Sequence, residues 1–206
     1  MRLARAGAFL AAVTAIGALL GAVIELPLPF TSHSAANEPR PGPSLDARTA
    51  QGLGPGPIHP VLGSFTYGQG DARFHAGRSG HVHEGQDIFA RPGTALVAVR
   101  PGIVVDAGPA WSPMNGGRGN YVAIYNRAER RSYVYMHMQR PSPDPMGDHL
   151  SAGQFVGRLG CTGSCDGPHL HFEIRIGRAT PGVDTKPIDP LPALRRWPPL
   201  PSVARR

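Results

Sequence analysis

Residues 169–174 read His169-Leu170-His171-Phe172-Glu173-Ile174, and their strict alternation assigns them to a β-strand. Successive side chains of a strand point to opposite faces, so His169, His171 and Glu173 share one side while Leu170, Phe172 and Ile174 share the other. Such a segment turns its apolar side to a core and its polar side to a cleft. At about 3.3 Å per residue the two imidazoles start roughly 7 Å apart, close enough to serve one site.

Working outward, similar short apolar runs recur at 94–99, 102–107, 121–125, 132–138 and 155–159, and the strand itself extends over 169–176. Between them stand turn signals: Arg91-Pro92-Gly93, Arg100-Pro101-Gly102, Asn115-Gly116-Gly117 and Gly147-Asp148. Connections this short return a strand only to its neighbour, so the expected fold class is all-β, mostly antiparallel. The 27 glycines and 23 prolines among 206 residues exclude a long helical bundle. A 41% hydrophobic content supplies one core, and the length suits one domain with extensions.

The extensions read differently. Arg2 and Arg5 precede an uncharged run over residues 6–24, followed by Glu25, prolines and the small residues Ser34-Ala35-Ala36. Residues 1–36 thus carry the parts of an export signal, and residues 6–24 are also long enough to remain as a membrane anchor. In both cases the positive flank stays inside and the rest of the chain goes out. Residues 37–56, rich in Pro and Gly, form a linker. The folded domain is expected over 57–194, with 188–194 packing on its edge and a basic, Pro-rich tail over 195–206.

The formal charge of +7 favours anionic partners. The arginines are scattered, however, and no aromatic-interleaved stripe marks a nucleic-acid surface, so no nucleic-acid partner is expected.

Histidine placement narrows the chemistry. His169-x-His171 is matched upstream by His83-Glu84-Gly85-Gln86-Asp87, and His137 ends a strand candidate between them. Imidazole and carboxylate donors suit a borderline divalent ion, and three protein ligands leave a corner for chemistry. Fully extended, His83 and Asp87 would lie about 13 Å apart, so the segment must bend, and Gly85 is the residue expected to allow it. Parity along 132–138 places Tyr133, Tyr135 and His137 on one side of their strand. Alone, each pair is a weak signal; together they outweigh the reading as ordinary surface or hydrogen-bonded histidines, which is kept for His33, His59, His75 and His149. His75 and His81 lie near enough to His83 in sequence to line the same cleft.

The string Gly153 to Glu173, GQFVGRLGCTGSCDGPHLHFE, resembles the closing motif of the lysostaphin-like (LytM-type) zinc metalloendopeptidases of bacterial cell walls. His83 to Ile88 is similar to that family's HxGxD segment, and Gly119-Asn120-Tyr121-Val122 and Tyr133 to Met138 match its GNxV and YxH pieces in the same order. The resemblance covers about Pro57 to Leu194. It implies a barrel-like sandwich of antiparallel strands with long loops, one zinc ion held by His83, Asp87 and His171, and His137 and His169 as catalytic histidines outside the metal's ligand set. Their division of labour between proton transfer and oxyanion stabilisation stays open.

The chain departs from the family's usual STG-like stretch at Cys161-Thr162-Gly163-Ser164-Cys165. In an exported protein its two cysteines favour a disulfide that would fix the turn aiming His169; free thiols or an added soft-metal site are the other readings. Met138 stands where relatives commonly have Leu, a volume-conserving exchange.

The resemblance implies an exported zinc endopeptidase that cuts stem or cross-bridge peptides of peptidoglycan in a shallow groove, held near the anionic wall by its positive charge. The alternative is a catalytically silent member that binds the wall or regulates another hydrolase; the presence of all five metal and catalytic positions favours the enzyme. Which bond is cut, and the oligomeric state, are not encoded in any motif.

Overall fold

The computed structural model describes residues 56–78, 80–110 and 117–200. The expected export segment, nearly all of the linker and the last six residues lie outside the described residues. Among the described residues no helix is long and apolar enough to cross a membrane.

The described chain is almost entirely β, with antiparallel pairings throughout. The strands in chain order are β1 (Thr66–Tyr67), β2 (Gly77–Arg78), β3 (His81–Val82), β4 (Gln86–Phe89), β5 (Ala95–Val97), β6 (Gly102–Gly108), β7 (Asn120–Asn126), β8 (Arg131–Met138), β9 (His149–Leu150), β10 (Phe155–Arg158), β11 (His169–Ile176) and β12 (Lys186–Ile188), followed by a single helical turn, α1 (Leu191–Leu194). The main sheet runs β1-β4-β11-β8-β7-β6-β9, with β12 alongside the far half of β11. β5 and β10 form a second, two-stranded sheet, and β2 and β3 a separate hairpin.

Alternation sorts the main sheet's side chains into two layers. Ile88, Val104, Val122, Ile124, Tyr133, Tyr135, Leu170, Phe172 and Ile174 point to one side, where they meet Leu96 of β5, Val156 of β10 and Leu194 of α1 in the main core. Burying these branched and aromatic side chains, each contributing about 1.5–3 kcal/mol, is what sets the register. Tyr135 crosses the layers: fully buried, its hydroxyl donates to Val97 O at 3.1 Å and accepts from Val99 N at 3.0 Å. The opposite side carries a smaller apolar floor of Val105, Tyr121, Ala123, Val134 and Met136.

Three expectations are corrected. Tyr133, Tyr135 and His137 do not share a side. Register passes from Val122↔Tyr135 to Asn120↔Met138, two steps on β7 against three on β8, so β8 carries a bulge. His137 sits in it at φ 63°, a left-handed conformation that reverses the alternation and turns the ring away from the core side of Tyr133 and Tyr135. Second, the polar side of β11, expected to face a cleft, is nearly as enclosed as the apolar one: His169, His171 and Glu173 are each at most 8% exposed. Third, packing continues past Leu194, because His59 N donates to Pro198 O at 3.0 Å and Leu200 is buried.

Candidate functional site

β4 and β11 lie side by side with His171 opposite Asp87 and His169 opposite Phe89. This pairing alone brings Asp87 and His171, 84 residues apart, onto one sheet surface. His83 reaches the same point from the segment before β4, where its amide is held by Ala76 O at 2.9 Å. The chain does bend at Gly85, although not through a left-handed glycine. A Cβ there would lie 2.6 Å from Phe172 O and 2.7 Å from the His171 ring, so the glycine is required by close approach.

The donor atoms converge. His83 Nε2, Asp87 Oδ1 and His171 Nδ1 are separated by 3.0, 3.0 and 2.8 Å, and all three residues are buried. A tetrahedral ion with bonds of about 2.0–2.1 Å needs donors about 3.3 Å apart, so this triangle accepts one after the side chains spread by a few tenths of an ångström. The N,O,N donor set is the chemistry of a zinc site with an open corner.

Electrostatics prepare the triangle for a cation. Burial alone would raise the Asp87 carboxyl, but hydrogen bonds from His171 and His83 outweigh it and hold the group well below the usual carboxylate range. Burial alone would lower His171, but its bonds to Asp87 and Glu173 push it up to about 9. A proton there occupies an anionic cage that a metal would take over. Glu173 is kept ionised against its burial by His171 and then Arg175.

Each corner has a brace. His83 Nδ1 donates to Arg73 O at 2.8 Å. His171 Nε2 faces Glu173 Oε1 at 3.1 Å, and Arg175 Nη1 donates to Glu173 Oε2 at 2.7 Å and to Glu84 Oε2 at 2.8 Å. Arg78, from the β2–β3 hairpin, lies 3.4 Å from the other oxygen of Asp87. Such partners fix ring tautomer and carboxylate orientation.

His137 and His169 stand beside the triangle. Their ring centroids are 4.8 Å apart, His137 is 6.0 Å from His171, and His169 Nε2 is 3.6 Å from Asp87 Oδ1. His137 Nδ1 lies 2.8 Å from Thr162 O and His169 Nδ1 lies 2.7 Å from Gly167 O. A carbonyl only accepts, so in both rings Nδ1 carries the hydrogen and Nε2 is left as the basic atom. Burial, reinforced by the neighbouring imidazoles, pushes His137 down to about 4 despite the Thr162 carbonyl, so the ring is neutral at pH 7. Cys161 and Cys165 are joined, and the closed loop borders both rings.

All five sequence-derived histidine and aspartate positions therefore meet in one place. His75 lines a separate cavity of about 430 Å³ with Arg73, Phe74 and Asp189. His59, assigned no special role, is 1% exposed and stacks on Phe65 at 3.9 Å between centroids. Arg78 and Arg175 escaped the sequence reading. Arg175 was legible, since it continues the 169, 171, 173 side of β11; Arg78, nine residues before Asp87 on its own hairpin, left no signal. A groove of about 430 Å³ runs from Glu173 and Arg175 over Val134 and Ala123 to the 179–185 loop.

Residues 81–190 match the model of the family described as Peptidase family M23. The chain is 32% identical over 134 residues to lysostaphin of Staphylococcus staphylolyticus, a match covering 65% of this chain and 26% of that protein. It is 31% identical over 131 residues to the peptidoglycan DD-endopeptidase ShyC of Vibrio cholerae, covering 63% of this chain and 25% of that one. The match thus spans about a quarter of each relative. Among solved structures, the catalytic domain of lysostaphin from Staphylococcus simulans superposes with a TM-score of 0.53 at 32% identity, covering 64% of this chain and 92% of that domain.

Proposed function

This chain belongs to peptidase family M23, and from that premise we propose that it is a zinc-dependent endopeptidase hydrolysing peptide bonds in the stem or cross-bridge peptides of peptidoglycan. The observation that carries the reading is the convergence of His83, Asp87 and His171 into one buried triangle with two imidazoles beside it whose Nδ1 atoms are held by backbone carbonyls. The named activities of the lysostaphin and ShyC relatives support a wall-peptide substrate.

His83, Asp87 and His171 would hold the zinc, which when bound supplies Lewis-acid chemistry at the scissile carbonyl. His137 and His169 present Nε2 to the space beside the triangle. From there one Nε2 takes a proton from the attacking water, and the N–H so formed steadies the developing oxyanion and returns that proton to the leaving amine. Residues 6–24 would direct the chain out of the cytoplasm, as a cleaved signal or a retained anchor on the outer face of the membrane, and the net charge of +7 would hold it near the anionic wall.

The test is metal analysis of the purified protein together with mass mapping of fragments from defined muropeptides. About one zinc per chain, new amino termini at a peptide bond, loss of activity on chelation and recovery on adding zinc are expected. Stoichiometric zinc with intact muropeptides would overturn the enzyme in favour of a silent wall-binding or regulatory module.

A further inference from the structure

The connection from β10 to β11, which carries the Cys161–Cys165 disulfide, touches both imidazoles that lie outside the metal triangle and supplies the carbonyl that fixes each. Thr162 O receives His137 Nδ1–H, and Gly167 O receives His169 Nδ1–H. The two halves of this loop are unequally anchored. Around Thr162 the anchorage is dense: its hydroxyl donates to Met138 O at 2.7 Å and accepts from Asn120 N at 2.9 Å, and Ser164 N donates to Gly117 O at 2.8 Å. Gly163, at φ 74°, lies so close to the neighbouring backbone that a Cβ would sit 2.3 Å from Gly119 N. Beyond Ser164 this changes. Among the described residues, the backbone amides of 165–167 find no backbone acceptor, Pro168 has no amide hydrogen to give, and the ladder resumes at His169 N, which donates to Gly160 O at 3.2 Å. Yet Gly167, the partner of His169, lies in that stretch. The tie that reaches into it is the bond from Cys161 to Cys165, whose Cys165 sulfur lies 2.9 Å from Gly167 O and 3.8 Å from His169 Nδ1.

We propose that Cys161 and Cys165 are positioning residues for the reaction: their disulfide ties the Gly167 stretch back to the anchored Thr162 stretch, so that this covalent bond sets the tautomer and aim of His169 beside His137, which Thr162 O already holds. The inference rests on the proposed peptidase reading for its consequence in catalysis, but not for the ring geometry itself. The metal triangle is braced elsewhere, by Arg73 O, Glu173 and Arg78, so the bond acts on the proton-transferring pair and not on metal binding.

The test compares the zinc-loaded full chain with its Cys161→Ser/Cys165→Ser variant, and with native protein reduced by a water-soluble phosphine and then reoxidised. Three readouts are taken: zinc per chain, kcat and KM on a defined muropeptide, and the imidazole nitrogen signals in long-range proton–nitrogen spectra. Zinc content and KM should hold, kcat should fall by about tenfold to a hundredfold, as displacement of about 1 Å at a reacting group does, and the Nδ1–H signature should weaken at His169 more than at His137. Reoxidation should restore both. Unchanged ring signals and kcat in the variant would overturn the proposal, as would loss of zinc, which would make the loop a support of the whole centre. A native protein with no peptidase activity would defeat the functional reading, while the ring spectra would still decide the positioning role.

Discussion

The metal triangle and the histidine pair are packed against each other, yet the chain braces them by opposite means. His171 is flanked by charge: Asp87 on one nitrogen and, on the other, Glu173, itself held by Arg175. His137 is flanked by the neutral backbone carbonyl of Thr162, and His169 by that of Gly167 on Nδ1 with Asp87 Oδ1 3.6 Å from its Nε2. The same burial therefore has opposite outcomes, with His171 pushed up to about 9 and His137 down to about 4. Anionic partners make a ring attractive to a cation, whereas a carbonyl fixes the tautomer while leaving the other nitrogen a neutral base. Neighbouring imidazoles within one strand-built surface are thereby given different work.

The contrast breaks most severely at its charged end. Asp87→Ala removes the carboxylate from the triangle and should abolish zinc retention together with activity, a loss of about a thousandfold or more, read by metal analysis and muropeptide digestion. On the neutral side, His137→Ala should leave zinc content intact while kcat falls about 10²- to 10⁴-fold; a variant that loses zinc would erase the distinction between the two groups. Glu173→Gln sharpens it. With the charge removed and the size kept, zinc affinity should weaken by about ten- to a hundredfold in competition with a chromogenic chelator.

The smallest effect comes from outside the site, at a buried histidine with no anionic partner. Burial, only partly offset by a hydrogen bond to Val61, pushes His59 from 6.5 down to about 4. The unfolded chain therefore binds this proton more readily than the folded one. The stability tied to neutral His59 is complete above pH 6.5 and is lost as pH falls toward 4. Between pH 7 and pH 4.5 the native protein should lose about 2.5 kcal/mol more unfolding free energy in urea than His59→Phe does, with little change in peptidase activity at pH 7.

The strands legible in the sequence were those whose alternation runs long enough to count, and β6, β7, β8 and β11 appear at nearly their expected bounds. The short strands β1, β9 and β12 carry no periodicity of their own and exist because a longer neighbour supplies the hydrogen bonds, while β2 and β3 pair only with each other. The triangle of His83, Asp87 and His171 was legible because short motifs fix residue type and spacing locally. What escaped was non-local. Alternation cannot foresee that β8 takes an extra residue before Met138 and so presents His137 to the site. Nor does the sequence mark which carbonyl a ring will find: Thr162 is 25 residues from His137 and matters there through its backbone.

The borders of the main sheet have a consequence for how the molecule keeps company with its own kind. An open sheet invites a stranger's strand wherever backbone donors and acceptors stand unpaired in a row. Here the outermost members, β1 and β9, are two residues each. Where β6 runs on beyond β9, its register against β7 slips between Val104 and Asp106. A foreign strand thus meets a ladder too short or too irregular to extend, and the sheet resists edge-to-edge aggregation.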